Sequence, residues 1–335
     1  MKFKIFDKTF QSGETATLAM PLPSMYSCAP MYLPIKILNG TKEGPCVLVF
    51  GMVNNNEFNG IEIINSLLDD INPKDLAGTI IAIPVLNIFG LVHAIKQNTP
   101  LEQAFPGDEN GSFMHRYTHR ITQDIIKKAD YSIQLKTGSA DYDILPQVYF
   151  NEDDEQSIKM ARSFQTPVIT GVNMNKSSIR KIHQDLDIPF ICYEAGEASK
   201  FDEEAINIGI SGIKNVLRKF EILNDENYNQ LLKPIVSEDT EWTISDQSGI
   251  LRTEVELGTR VKENEKIGKL IDPFGNNESI SLHSPIDGII LGINNYPLIK
   301  EGDPVFKVSS FHDDEKAEAK IEDWEEIAKE NFNDE

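Results

Sequence analysis

Between about residue 45 and residue 222, short apolar runs alternate along the chain with longer stretches in which apolar residues recur three and four positions apart. "CVLVFG", "TIIAIPVLN", "YSIQL", "QVYF", "PVITG" and "FICYEA" are brief, apolar and bounded by polar residues, so they read as strands. Residues 57–71, 112–129, 155–164, 178–186 and 203–217 have helical spacing. The alternation predicts an α/β domain over residues 45–225, a mostly parallel sheet covered by helices on both faces. Residues 1–44, ending in "YLPIKILNGTKEGP", predict an extended leader whose last strand delivers the chain into that sheet.

After the linker "NDENYNQLLKPIVSED" the pattern changes to short strands punctuated by Gly, Pro and Asn, which predicts a second, all-β domain over residues 236–311. A near-repeat runs through it: "SGILRTEVELGTRVKENEKIGKL" is echoed by "DGIILGINNYPLIKEGDPVFKV" at an offset of 38 to 39 residues. Two such halves face to face predict a small barrel-sandwich of the biotinyl/lipoyl-like kind. The hairpin between the halves reads "DPFGNNESI" and lacks a lysine for a prosthetic group, so no swinging arm is expected. Residues 312–335 predict an acidic tail, with eleven Asp or Glu against three Lys from 313 onward. Such a run is ordinarily solvated. Ile321, Trp324 and Ile327 or Ala328, at helical spacing, offer a face for docking on a partner or on the body.

Charge narrows the function classes. A formal net charge of −21 excludes the clustered basic surface that nucleic-acid binding needs. The amino terminus lacks the continuous apolar core of a signal peptide, and no uncharged apolar stretch of membrane-spanning length occurs, so a cytoplasmic protein without a membrane partner is expected. Cys28, Cys46 and Cys192 are too few and scattered for a disulfide framework or a metal site; Cys46 and Cys192 lie in apolar runs and read as buried thiols.

Candidate chemistry gathers at "GMVNNNEFNG", residues 51–60, where a strand stops in a Gly-flanked turn and feeds a helix. Such strand–helix turns are common active-site positions in α/β proteins. This one carries three asparagines in a row and no histidine. Together with "IPVLNIFG", "FPG", "QLKTG", "YEAGE" and "VKENEKIGKLIDPFG…SPIDGII", in that order, the chain resembles the succinylglutamate desuccinylase/aspartoacylase family over residues 33–310. The resemblance implies a carboxypeptidase-like α/β core with a C-terminal β-barrel. It further implies a zinc-dependent deacylase whose metal is held by His and Glu of a Gly-x-His-Gly-Asp-Glu turn and by a His of an Asp-Leu-His-Thr-Gly strand end. Three protein ligands and one water form the usual catalytic zinc arrangement.

Carried over position by position, the resemblance implies that Glu57 falls on the ligand Glu, Asn56 on the neighbouring Asp and Asn54 on the first ligand His. Lys136 takes the second His position, and Gln134 the Asp before it. Glu102 and Gln103 replace the Asn and Arg that hold substrate carboxylates, and Lys96 falls near an upstream Arg. Glu194, on the general acid–base position, is kept, as are Gly51, Asn59, Gly60, Phe105, Pro106, Gly107, Thr137 and Gly138.

An Asn amide is a poor substitute for an imidazole ligand. An ammonium about 4 Å from a divalent cation is repelled by roughly 8 kcal/mol at an effective dielectric near 20. The expectation is therefore no bound cofactor, with Lys136 pairing with Glu57, Glu194 or both. The protein is expected to be an inactive relative that binds, scaffolds or regulates, with an acylated amino acid or peptide as ligand and a second copy or an active paralogue as partner. The alternative is an amide hydrolase with an altered zinc site or metal-free chemistry, using Glu194 as base and Lys136 as electrophile or nucleophile. His115 and His119 share a helix face without the Glu of HExxH and read as helix-surface or helix-packing residues. His183 reads as a surface residue, and His93, His283 and His312 have no companions; the Ser pairs at 177–178 and 309–310 lack a nucleophile-elbow setting.

Overall fold

The computed structural model describes residues 2–23, 30–93, 100–174, 178–224 and 233–332. Cys28, Lys96 and residues 225–232 of the linker lie outside the described residues. An amino-terminal hairpin of β1 (Phe3–Ile5) and β2 (Lys8–Phe10) precedes the antiparallel strands β3 (Thr15–Pro21) and β4 (Tyr32–Asn39). The centre is built from β5 (Lys42–Phe50), β6 (Ala77–Ile83), β7 (Tyr131–Lys136), β8 (Tyr142–Ile144), β9 (Gln147–Asn151), β10 (Val168–Val172) and β11 (Phe190–Glu194). Helices α1 (Asn59–Asp70), α2 (Ile88–His93), α3 (Phe113–Asp124), α4 (Glu155–Phe164), α5 (Ser178–Asp185) and α6 (Glu203–Lys219) are threaded among them. Their starts follow local chemistry: Ser112, Asp154 and Asp202 each accept hydrogen bonds from first-turn backbone N–H groups.

Strand order across the large sheet is β14-β17-β19-β12-β10-β9-β11-β7-β5-β6-β4-β3, where β12 (Ile235–Ile244), β14 (Arg260–Val261), β17 (Gly288–Asn294) and β19 (Pro304–Phe311) come from the C-terminal segment. The sheet as a whole is mixed: over residues 45–225 its strand pairs are parallel except β9 with β11, and the leader and C-terminal strands add further antiparallel pairs. Strands β6, β5, β7 and β11 are mutually parallel, but β9 runs antiparallel to β11. The link from β7 to β9 carries no helix, and a parallel neighbour needs a crossover that returns the chain to its starting edge. Two large apolar clusters fill the faces. One packs α1, α4 and α6 around Ile63, Leu67, Phe164, Tyr193 and Ile213; the other packs α3 and α5 around Phe50, Phe89, Tyr117 and Phe190.

At the boundary with the C-terminal segment, β12 pairs in parallel with β10 and antiparallel with β19, and β17 pairs with β8, so the large sheet is continuous there. The remaining strands, β13 (Gly249–Thr253), β15 (Lys266–Ile271), β16 (Ile280–His283) and β18 (Leu298–Ile299), form a four-stranded antiparallel sheet. Leu251, Ile267 and Leu282 from that sheet share a buried cluster with Ile290, Phe306 and Val308 of the large one. Among the described residues no helix is long and apolar enough to cross a membrane.

The acidic segment forms a helix, α7 (Asp314–Phe332), rather than a solvated tail. Ile321 packs with Ile289, Leu291 and Phe311, and Trp324 joins the main core while its indole N–H donates to the Gln165 carbonyl at 3.0 Å. The acidic residues occupy the outer face. Replacing Trp324 by Ala should lower stability by about 3 kcal/mol, as for other buried Trp-to-Ala changes. The expected readout is a lower urea midpoint with retained secondary structure; an unchanged midpoint would mean that α7 does not hold the body together.

Candidate functional site

The site forms where β5, β7 and β11 end side by side. Gly51 ends β5 and Gly60 begins α1. A Cβ built on Gly51 would lie 3.2–3.3 Å from Gly60 backbone atoms, and one on Gly60 would lie 3.2 Å from the Leu135 Cβ. The strand end, the helix start and β7 are thus in close contact, which explains why glycine occupies both positions.

Between those glycines Asn54 bonds within the turn, while Asn55, Asn56 and Asn59 tie the turn to neighbouring segments. Glu57 is 2 % exposed. Its Oε2 accepts from the Val53 and Asn54 backbone N–H groups at 3.1 and 3.0 Å, and its Oε1 accepts from the Asn54 side-chain amide at 2.7 Å. Asn55 Oδ1 accepts from the Asn87 amide at 2.8 Å, the Asn56 carbonyl accepts from Ser199 N–H at 2.8 Å, and Asn59 Oδ1 accepts from Asp202 N–H at 3.1 Å.

At the neighbouring strand end Lys136 is mostly buried, and its ammonium lies 3.9 Å from the Glu102 carboxylate. The expected partners were Glu57 and Glu194. The direct ion pair is with Glu102 instead, while Glu57 and Glu194 act on Lys136 through their charge at longer range. The geometry explains the substitution: Glu102 sits on a short 3-10 turn, Leu101–Ala104, that reaches over the end of β7, whereas Glu57 is already held by its own turn. Gln103, on the same turn, is exposed.

Burial pushes the Glu57 carboxyl up to about 7; the Lys136 charge and the Asn54 hydrogen bonds oppose the shift, and Glu102 adds to it. Burial works against the Lys136 charge, but Cys192, Glu57, Glu194 and Glu102 outweigh it and raise the pKa of Lys136. Since burial pushes the Cys192 thiol itself up to about 12, the carboxylates carry that effect at neutral pH. Lys136 is therefore a held cation, poorly suited to act as a nucleophile.

Glu194 ends β11 half-buried, and its Oε2 accepts from the Tyr149 hydroxyl at 2.8 Å. Tyr149 in turn accepts from the Lys307 ammonium at 2.6 Å, and Lys307 also donates to Gln147 Oε1 at 3.2 Å. Arg180 lies over the Tyr149 ring, 5.3 Å from its centroid. No sequence motif singles out Tyr149, Arg180 or Lys307. The one available signal is Lys307 within "PVFKV", a charged residue in an otherwise apolar strand.

Other candidates separate cleanly. His183 is fully buried, stacked between Phe50 and Phe190 with Nδ1 2.7 Å from the Ile179 carbonyl, which corrects its assignment to the surface. It lies on the apolar face of a short helix whose Lys181 and Asp185 point outward and pair with each other. His115 bonds to Ser112 Oγ at the start of α3, at 2.7 Å. Cys46 and Cys192 are buried thiols. Ser309 is tied to Ser237 and Thr240 within the C-terminal strands. Gln134, at the family's Asp position, is buried with neither side-chain atom hydrogen-bonded among the described residues.

Residues 43–220, more than half of the chain, match the family described as succinylglutamate desuccinylase/aspartoacylase catalytic domain. The chain belongs to the succinylglutamate desuccinylase/aspartoacylase family. It is 24 % identical over 249 residues to the N-alpha-acetyl-L-2,4-diaminobutyric acid deacetylase of Halomonas elongata, covering 69 % of this chain and 71 % of that one. It also superposes with a TM-score of 0.80 on a succinylglutamate desuccinylase/aspartoacylase from Rhodobacter sphaeroides, at 20 % identity over 91 % of this chain and 96 % of that chain. The ectoine utilization protein EutE (DoeB) of Ruegeria pomeroyi superposes equally well, with a TM-score of 0.80 at 17 % identity over 90 % and 96 % of the two chains. At such identities the superpositions establish the fold alone.

The residues here do not fit the zinc that the family implies. Asn54 turns its amide N–H toward Glu57 where an imidazole ligand would be needed, and Lys136 places an ammonium at the other His position. Among the described residues no group of three His, Cys, Asp or Glu side chains is arranged to hold a metal.

Glu57 also makes folding pH-dependent. Its folded pKa, about 7, lies above the ordinary carboxyl value of 4.5, so the protonated form is favoured in the folded state. That contribution is fully present below the unfolded pKa and is lost as pH rises through the folded one. Relative to Glu57→Gln, wild type should lose about 3 kcal/mol between about pH 4.5 and about pH 7.5, because each pH unit separating the two pKa values is worth about 1.4 kcal/mol. Urea titrations of both proteins across that range check this; parallel curves would place Glu57 in a far more hydrated setting.

Proposed function

We propose that this member of the family does not act as a zinc deacylase, and that it is a binding, scaffolding or regulatory protein built on the deacylase fold. One observation carries the reading: the charges that a metal would balance are balanced by the chain itself, with Lys136 beside Glu102 and Glu57 clasped by the Asn54 amide and two backbone N–H groups. The position that holds substrate in the family, Glu102, is recruited to that internal pair. Partners in keeping with this reading are a second copy of the chain or an active paralogue in the cytoplasm. The C-terminal strands, with their internal near-repeat, are read as a barrel-sandwich of the biotinyl/lipoyl-like kind without a modifiable lysine.

A hydrolytic reading draws support from Glu194, which keeps the general-base position and is oriented by Tyr149, and from the deacetylase activity named for the Halomonas elongata relative. The held charge of Lys136 weighs against it. The deciding measurement is metal content by elemental mass spectrometry on tag-free protein purified without chelator, with and without added zinc. Wild type should carry well under one zinc per chain, and the Asn54→His/Lys136→His double variant, which restores two ligands beside Glu57, should take up about one. Stoichiometric zinc in wild type would overturn the proposal and make deacylation of N-acyl amino acids the first assay.

A further inference from the structure

A second feature lies on the far side of Glu194. A cavity of about 350 Å³ is lined by Gly138, Ser139, Tyr142, Ile144, Tyr149, Glu194, Trp242, Pro304 and Lys307, and neither Glu57 nor Lys136 is among its walls. Its size is within the range of small-molecule sites. Three aromatic side chains face it: Tyr142 and Trp242 stack edge to face with centroids 5.5 Å apart, and Tyr149 carries the Lys307 contact.

Lys307 is 6 % exposed. A buried ammonium costs several kcal/mol unless it is paired and its donors are satisfied. It has three N–H donors. Two have protein acceptors, Tyr149 Oη and Gln147 Oε1, and no carboxylate is in ion-pair contact with Lys307 among the described residues. Glu194 is separated from it by the Tyr149 hydroxyl. Burial lowers the pKa of Lys307, Glu194 partly offsets this, and Arg180 adds to the lowering. The Lys307 charge is thus answered only at second hand, by Glu194 through the Tyr149 hydroxyl and by the Tyr149 ring 5.1 Å away, and Lys307 has a donor left for the cavity it lines.

We infer that this cavity binds a small monocarboxylate with an aromatic or apolar body, its carboxylate held by the Lys307 ammonium and its body against Trp242 and Tyr142. A carboxylate meets the third donor and neutralises the buried charge in one contact, which an alcohol or amide cannot do. The aromatic walls favour a flat or branched apolar body over a second charge. The inference deepens the binding reading given above, and the two fail separately: zinc uptake tests the Glu57 and Lys136 positions, and ligand titration tests Lys307.

The test uses full-length protein and 3-phenylpropionate as probe, with 3-phenylpropanol as the uncharged isostere, followed by calorimetry and tryptophan fluorescence. Saturable binding of the acid is expected, with the alcohol at least about tenfold weaker, a difference of about 1.4 kcal/mol. Lys307→Met should abolish the preference for the acid, and Lys307→Arg should keep part of it. The fluorescence change should vanish in Trp242→Phe while the calorimetric signal persists. The comparison of acid with alcohol needs no variant, so a misfolded Lys307→Met does not blunt it. No saturable binding of the acid to wild type, equal affinity for the alcohol, or an undiminished acid preference in Lys307→Met would each overturn the inference.

Discussion

Like charges brought together by a fold must be balanced, and that constraint governs the centre of this protein. The ends of β5, β7 and β11, with the short turn beside them, bring Glu57, Glu102 and Glu194 within electrostatic reach of Lys136. Carboxylates gathered in this way need a nearby cation, protons or strong donors. Here all three remedies operate: Lys136 supplies the cation, Glu57 sits near the point of protonation, and the Asn54 turn supplies donors. Of the three asparagines that look out of place in the sequence, Asn54 is the one that frames this arrangement, through its side-chain amide and its backbone N–H on Glu57.

Much of this was legible in the chain because the relevant patterns are local. The helix over 155–164 is framed by Asp154 at its start and an apolar stripe along one side, and the structure places it at those bounds. The identities at 54, 57 and 136, set against the family's pattern, are what raise the expectation of an altered metal site. The partner of Lys136 was not legible, since it depends on where a short turn thirty-odd residues earlier folds over a strand end. His183 misled for a related reason: its neighbours in sequence are charged, but on a helix the residues that share its face are three and four positions away.

The tail and the C-terminal strands show where composition fails as a guide. Eleven acidic residues make the last segment look solvated, yet Ala317, Ile321 and Trp324 are buried against the body, on the face that the helical spacing of Ile321 and Trp324 offers. The boundary between the α/β portion and the later strands is likewise marked in sequence by a change of pattern. In space it is crossed by ladder hydrogen bonds from β10 to β12 and from β8 to β17. A change in local pattern records a change of secondary structure and does not record which strands pair.

That continuous ladder has a kinetic consequence. The walls of the cavity beside Lys307 come largely from β8, β9, β11, β12 and β19, all members of one hydrogen-bonded sheet. Two lobes joined by a linker can open and shut around a guest, but these walls cannot part without breaking backbone hydrogen bonds along several strands. Entry and exit must use the opening that the cavity already has. Selection then rests on a rigid template rather than on any closure of the fold.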